Sequence, residues 1–148
     1  LTVQSHSRRI REETDASVFE PFTQTVAAYI SALTGDAYVA ESADDPLAPV
    51  RYRRGEGPVL SYELLSQGTK DSLALAVRLA LADTVVTDGE VPLVLDDPFV
   101  DMDPARRRAA AEVVARVAES RQVILFTCHP DHAALFPDTT PVTLTRQG

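Results

Sequence analysis

The sequence predicts an α/β fold in which helices flank a mostly parallel sheet, preceded by an N-terminal helix and a small antiparallel hairpin. Two short apolar runs, residues 91–95 and 122–127, alternate with helical segments in the second half of the chain. This alternation is typical of parallel strands that are covered on both faces. With 148 residues, a single domain buries roughly 70% of its unfolded surface, so we expect the chain to have its own core.

The first segment, residues 1–35, is expected to be a helix that forms the end of a coiled-coil arm. Apolar residues recur at three- and four-residue spacing over residues 18–33, which indicates an amphipathic helix. Residues 5–15 are almost wholly polar, and Gly35 is a natural stop for the helix. Residues 36–148 are expected to form the remaining, globular unit.

The antiparallel hairpin is expected directly after Gly35. Its strands are residues 37–40 and residues 50–53, the second of which alternates apolar and basic side chains, as in a strand with one solvated face. An Asp-Asp-Pro turn at residues 44–46 separates them. The basic side chains of this hairpin fit a solvated strand face better than a nucleic-acid contact.

Two helices and a last strand complete the expected fold. A long apolar helix begins after Ser66, and a second helix covers residues 104–120, with Asp103 as its N-cap and Pro104 in its first turn. Residues 141–145 are expected to add an edge strand.

Composition limits the function classes. The net charge of −8 argues against a surface devoted to nucleic acid, because phosphate binding needs Lys and Arg. The single cysteine, Cys128, excludes an internal disulfide framework and favours a reducing cytoplasm. No run approaches the roughly 18 apolar residues of a membrane span, so we expect no membrane partner.

Several polar residues are placed where open parallel sheets bind ligands, at the carboxyl ends of the strands. Asp96 and Asp97 end one strand and His129 follows the other. The polar run at residues 66–69 begins a helix, where free N–H groups favour anions. Each feature also has a purely structural interpretation: a helix cap, a strand followed by a turn, and a structural histidine. Together they are compatible with a phosphate and magnesium site.

The order of three segments carries a resemblance to a known family. The segment LLSQGTKD resembles the signature motif of ABC-type ATPases, VPLVLDDPFVDMD resembles a Walker B strand with its D-loop, and QVILFTCH resembles the strand with the switch histidine. The chain is similar to the C-terminal lobe of an ABC-type head of the SMC, RecF, RecN and SbcC-like DNA-repair class, which implies a P-loop NTPase fold. The resemblance is close over residues 62–129.

The resemblance implies ATP and Mg²⁺ as cofactors and assigns roles residue by residue. Asp96 is expected to hold magnesium through water, while Asp97 and His129 are the catalytic residues. In an ATP-dependent dimer, the signature residues and the D-loop acid are expected to bind the nucleotide of the second head. These residues are Ser66, Gln67, Gly68, Thr69 and Asp103. DNA is expected to bind only to the complete assembly, in DNA repair or chromosome maintenance.

Two departures from the family pattern limit this expectation. No G-x-x-x-x-G-K-[ST] loop occurs in the 148 residues. The chain alone is therefore expected to be inactive and to need a Walker A-bearing N-terminal lobe, on the same or a separate chain. Many ABC ATPases carry Glu where this chain has Asp97, so turnover is expected to be slow.

Three alternatives remain open from the sequence. A Toprim-like metal-dependent nuclease would use Asp101 and Asp103. A zinc site would use Cys128, His129 and His132, although Cys128 on an apolar strand is more often plain core. A third possibility is a dimerisation clamp that does not hydrolyse ATP.

Overall fold

The computed structural model describes residues 21–41, 51–85 and 91–145. Helix α1 covers residues 21–34 of the first range. The other elements follow in chain order: β1 (Val39–Glu41), β2 (Arg51–Arg53), β3 (Val59–Ser61), a 3₁₀ turn (Tyr62–Leu64), α2 (Gln67–Val85), β4 (Leu93–Asp96), α3 (Pro104–Ala118), β5 (Val123–Phe126) and α4 (Pro130–Ala133). Within these ranges, every helix is too short or too polar to cross a membrane.

The first helix ends where the sequence predicts. Gly35 and Asp36 both adopt left-handed backbone angles, with φ of +58° and +59°, a conformation in which Gly has no steric cost. The N–H of Asp36 then donates to the carbonyl of Ser31 at 2.9 Å, which satisfies an otherwise free helix carbonyl. The predicted helix upstream of residue 21, including the polar run 5–15, lies outside the described residues.

The predicted hairpin is confirmed as part of a larger antiparallel sheet. Strands β1 and β2 pair with Ala40 opposite Tyr52, and β3 adds to the other edge with Leu60 opposite Tyr52. The third strand was not predicted, and the first begins at Val39 rather than at residue 37. The predicted turn at residues 44–46 lies outside the described residues.

The parallel pair β4–β5 confirms the α/β prediction, and Leu95 lies opposite Leu125. Adjacent strand residues point to opposite faces. Leu95 is 1% exposed and belongs to the core formed with α1, α2 and α3, whereas Val94 is 54% exposed. The prediction that this sheet is covered on both faces is therefore wrong for the described residues, which cover only one. Val94, Asp96, Ile124 and Phe126 share the other face, which we call the open face.

The expected edge strand at residues 141–145 is also wrong, because this segment has no regular secondary structure. Val142 and Leu144 are 78% and 77% exposed. Pro141 has no N–H to donate to a strand ladder. The apolar side chains of this segment therefore do not by themselves make it a strand.

Candidate functional site

The parallel register brings the chain segments after β4 and β5 side by side. Asp96 is opposite Phe126, and the N–H of Asp97 donates to the carbonyl of Phe126 at 2.9 Å. The sheet therefore continues by one hydrogen bond past the end of β4. This places the Asp97 side chain beside Thr127 and Cys128, as the sequence argument from strand ends predicts.

The Asp97 carboxylate is held on both of its oxygens. The Thr127 hydroxyl donates to Oδ1 at 2.6 Å, and the Cys128 thiol donates to Oδ2 at 3.4 Å. The bond from Thr127 is the main reason that the pKa of Asp97 lies below its usual value. Asp97 is consequently ionised at neutral pH. The hydrogen bond that the Cys128 thiol donates to Asp97, together with the nearby carboxylate charge, raises the pKa of this thiol.

The expectation that Cys128 is plain core is wrong. The chain leaves β5 at Phe126, two residues earlier, and Cys128 is exposed. The preceding residue, Thr127, donates to Asp97 and accepts the N–H of His129 at 3.1 Å. Thr127 thus ties together the segments that follow β4 and β5, a role that was not predicted from the sequence.

The two histidines after β5 have different environments. His129 is exposed, whereas His132 is 2% exposed and its ring meets the edge of Phe99 with centroids 5.8 Å apart. Nδ1 of His132 lies 3.3 Å from the Thr127 hydroxyl and 3.9 Å from Asp97 Oδ1. Burial, followed by the charge of Arg107, lowers the pKa of His132. His132 is therefore a neutral group that buttresses Thr127 and Asp97.

Asp96 is the exposed neighbour of this cluster. It lies on the open face at the end of β4, and its charge also contributes to the raised pKa of the Cys128 thiol. Asp97 is fixed by neighbours and Asp96 faces solvent.

The start of α2 is a helix cap, as the structural interpretation of residues 66–69 expects. The Ser66 hydroxyl accepts the N–H of Thr69 at 3.3 Å, and the two hydroxyls lie 2.8 Å apart. Thr69 is fully buried. Ser66 and Gln67 are exposed, whereas Gly68 and Thr69 are buried.

Gly68 is required by a close backbone contact. A Cβ at this position would lie 2.4 Å from the carbonyl oxygen of Asp101, well inside van der Waals contact. The loop after β4 therefore passes directly over the start of α2. The segments resembling the signature motif and the D-loop are packed against each other within this chain.

Arg106 fastens the same two segments together. Its Nη1 donates to the Thr69 hydroxyl at 2.8 Å, and its Nε lies 3.3 Å from Asp103 Oδ2. Asp103 in turn caps α3 by accepting the N–H groups of Ala105 and Arg106 at 3.0 and 3.1 Å. These bonds lower the pKa of Asp103. The predicted N-cap is confirmed, whereas Arg106 was not foreseen.

Potential metal ligands also meet at the rim. One ligand atom each from Asp97, Cys128 and His129 lie within 4.8 Å of one another. Among the described residues, this group replaces the zinc set considered from sequence: His132 is buried against Phe99, and Asp97 takes its place. Asp103, which the nuclease alternative would use, has a different partner: its carboxylate accepts the N–H groups at the start of α3.

Comparison with curated proteins gives relatives that are much longer than this chain, and no family model matches it. The uncharacterised protein YhaN of Bacillus subtilis is 36% identical over 109 residues, 72% of this chain and 11% of that protein. Rv1278 of Mycobacterium tuberculosis is 30% identical over 128 residues, 86% of this chain and 14% of that protein. The DNA double-strand break repair Rad50 ATPase of Methanocaldococcus jannaschii is 35% identical over 71 residues, 48% of this chain and 7% of that protein. The chain thus spans a small part of each relative.

Solved structures similar to this chain are SMC heads. A structure from work on ATP-driven dimerization and DNA-stimulated activation of SMC ATPases matches with a TM-score of 0.73 at 17% identity, over 90% of this chain and 83% of that chain. The Smc head of Pyrococcus yayanosii, with a coiled coil and joint, matches with a TM-score of 0.71 at 16% identity, over 88% of this chain and 26% of that chain. At such identities the similarity is one of fold.

Proposed function

We propose that the chain is the C-terminal lobe of an SMC/Rad50-like ATPase head and that it completes an ATP-hydrolysing site between two such heads. The observation that carries the proposal is the rim after β4 and β5. There an ionised carboxylate is fixed by a threonine and a thiol, beside an exposed second carboxylate and an exposed histidine. Chromosome maintenance or DNA repair is the proposed setting.

Asp97 is proposed to orient the attacking water. A carboxylate whose pKa is lowered is a weak base but a constant hydrogen-bond acceptor. Thr127 and Cys128 restrict its rotation, and His132 supports Thr127 from the buried side. His129 is exposed next to it and is the proposed contact to the terminal phosphate. The residues of this chain thus supply orientation, which is the main protein contribution to phosphoryl transfer.

The exposed groups fit a nucleotide and its metal. Asp96 is a solvent-facing carboxylate, the ligand type that Mg²⁺ accepts. Ser66 and Gln67 are exposed at the N-terminus of a 19-residue helix, where the dipole favours an anion. When bound, ATP would supply the phosphoryl group, and Mg²⁺ would neutralise part of the phosphate charge.

The remaining signature residues are proposed to act indirectly. Thr69 is fully buried and bonded to Arg106, so it positions Ser66 rather than reaching the nucleotide of the second head. Gly68 allows the loop at Asp101 to pass over the helix start. Asp103, exposed in that loop, is the proposed contact across the dimer.

The open face is proposed to pack against the Walker A-bearing N-terminal lobe. Val94 and Phe126 on this face are 54% and 45% exposed, although strands of a parallel sheet are normally covered on both faces. DNA is proposed to bind to the dimer of complete heads rather than to this acidic chain alone.

The experiment that tests the proposal is Asp97→Asn in a head reconstituted with a Walker A-bearing lobe. Asn tolerates the left-handed backbone of this position, where φ is +39°. We expect ATP binding to persist, ATP-bound dimers to accumulate and hydrolysis to fall on the order of a hundredfold or more.

Asp131→Asn is the matched control, because Asp131 is an exposed carboxylate on the neighbouring helix α4. It should hydrolyse ATP like the wild type. Equal hydrolysis by Asp97→Asn and the wild type would contradict the catalytic role of Asp97. ATP-dependent dimers without hydrolysis in the wild type would instead identify a clamp.

A further inference from the structure

We propose that Asp97, Cys128 and His129 form a binding site for a thiophilic divalent ion of the Zn²⁺ type, distinct from the magnesium position proposed at Asp96. The three side chains bring one carboxylate oxygen, one sulfur and one imidazole nitrogen within 4.8 Å of one another. This donor set suits Zn²⁺, whereas Mg²⁺ prefers oxygen ligands alone.

The geometry of the pair Asp97–Cys128 is already close to that of a zinc site. Zn–S and Zn–O bonds of ordinary length place a sulfur and an oxygen about 3.5 Å apart at a tetrahedral metal. In the structure, Cys128 Sγ and Asp97 Oδ2 are 3.4 Å apart. Ion binding would replace the thiol hydrogen bond with two bonds to the metal, and the thiol proton would leave to solvent.

Hydrogen bonds outside the donor set orient it. Thr127 donates to Asp97 Oδ1 and leaves Oδ2 for the ion, and the same hydroxyl accepts the N–H of His129. Such supporting bonds normally fix the ligands of metal sites. Cys128 and His129 are exposed, so an ion has a direct path to them. Three protein ligands would leave the fourth position to water.

The inferred consequence is inhibition, and this part rests on the proposed function. An ion bound to Asp97 and His129 would occupy both residues proposed to orient water and contact the terminal phosphate. Metal binding itself does not depend on that function, so the two are tested separately.

Binding is tested by titrating Co²⁺, as a coloured substitute for Zn²⁺, into the full chain and its variants. We expect one ion per chain, with a thiolate charge-transfer absorption that Zn²⁺ abolishes by displacement. Cys128→Ser should lose this absorption. His129→Gln and Asp97→Asn should bind at least tenfold more weakly, since removing even a supporting group costs a metal site about 10- to 100-fold.

Asp131→Asn controls for the loss of a nearby carboxylate, and circular dichroism of every variant controls for folding. An unchanged affinity in Cys128→Ser, or the absence of a thiolate band in the wild type, would overturn the site. Unchanged affinity in Asp97→Asn would overturn the three-ligand assignment.

In the reconstituted head, Zn²⁺ should inhibit ATP hydrolysis in the wild type and do so at least tenfold less potently in Cys128→Ser. If Zn²⁺ binds the chain without slowing hydrolysis, the site stands and the inferred inhibition fails. If the head hydrolyses no ATP at all, the proposed function fails while the binding result is unaffected.

Discussion

The start of α2 and the rim after β5 are the two regions with residues of proposed function, and they use their polar groups in opposite ways. At the start of α2, Thr69 is fully buried and bonded to Ser66 and Arg106 within the chain. After β5, Cys128 and His129 remain exposed even though the thiol of Cys128 is bonded to Asp97 and the N–H of His129 is bonded to Thr127. The start of α2 mainly holds residues 66–69 against the loop after β4, and we call this contact the joint. The region after β5, which we call the rim, presents a thiol and an imidazole to solvent. Both regions resemble family motifs, but the first mainly stabilises the fold, whereas the second leaves polar side chains available to a ligand.

The largest effect is expected from Ser66→Arg in the reconstituted head. Ser66 is exposed at the start of α2, next to Gln67, so a large cation there should abolish ATP-dependent dimers while each head still binds ATP. Analytical ultracentrifugation with and without ATP measures the effect. Ser66→Ala loses the same helix cap, worth about 1 kcal/mol, without adding bulk, and should still dimerise. If Ser66→Arg still forms ATP-dependent dimers, Ser66 is only a helix cap and does not contact the second head.

Gly68→Ala tests how tightly the joint is closed. The added methyl would lie 2.4 Å from the carbonyl oxygen of Asp101, and we expect a loss of about 3 kcal/mol in the free energy of unfolding. Urea denaturation of the full chain measures it. Gly55→Ala is the control: its φ of +53° costs about 1 kcal/mol, but its Cβ would meet nothing within 4 Å. Equal losses would show that the loop moves aside freely.

The smallest expected effect is on the pH dependence of stability. It is tested at Asp103 in the joint and at Asp97 at the rim. Both pKa values are lowered in the folded chain. Their stabilising contributions are therefore present above the unfolded pKa of about 3.9 and are lost as pH falls through the folded values. The denaturation midpoint of the wild type should fall more steeply between about pH 5 and about pH 3 than that of either Asn variant.

Asn suits this comparison because it remains a good N-cap at residue 103 and tolerates the left-handed backbone at residue 97. Parallel pH curves for wild type and variants would mean that these hydrogen bonds add no differential stability.

The elements with a clear local signal were predictable. The spacing of apolar residues predicted the helix that ends before Gly35, the long apolar segment after Ser66 predicted α2, and Asp103 with Pro104 predicted the start of α3. The two apolar runs predicted β4 and β5. Strand β3 was missed because its sequence, Val-Leu-Ser, does not alternate apolar and polar side chains, whereas β2 does. The open face was also missed, because a run that is apolar on both sides does not say what covers each side.

In the candidate site, motif order placed Asp97 and His129 correctly at strand ends, but the residues that hold them were missed. Thr127 bonds to Asp97 across 30 positions, and Arg106 bonds to Thr69 across 37. Such partners are set by the packing of distant segments, and no local pattern marks them. His132 was considered only as a ligand, since a sequence does not show that its ring is buried.

The backbone at Asp97 has a consequence for which acids this position accepts. Its φ of +39° lies in the left-handed region, which Asp and Asn enter more readily than most side chains. Glu, which many ABC ATPases carry at the matching position, would reach farther toward a water molecule, but it lacks this local tolerance. A Glu at residue 97 would thus have to fit the bend of the chain as well as the proposed catalytic role, and a gain in reach would require the turn after β4 to change with it.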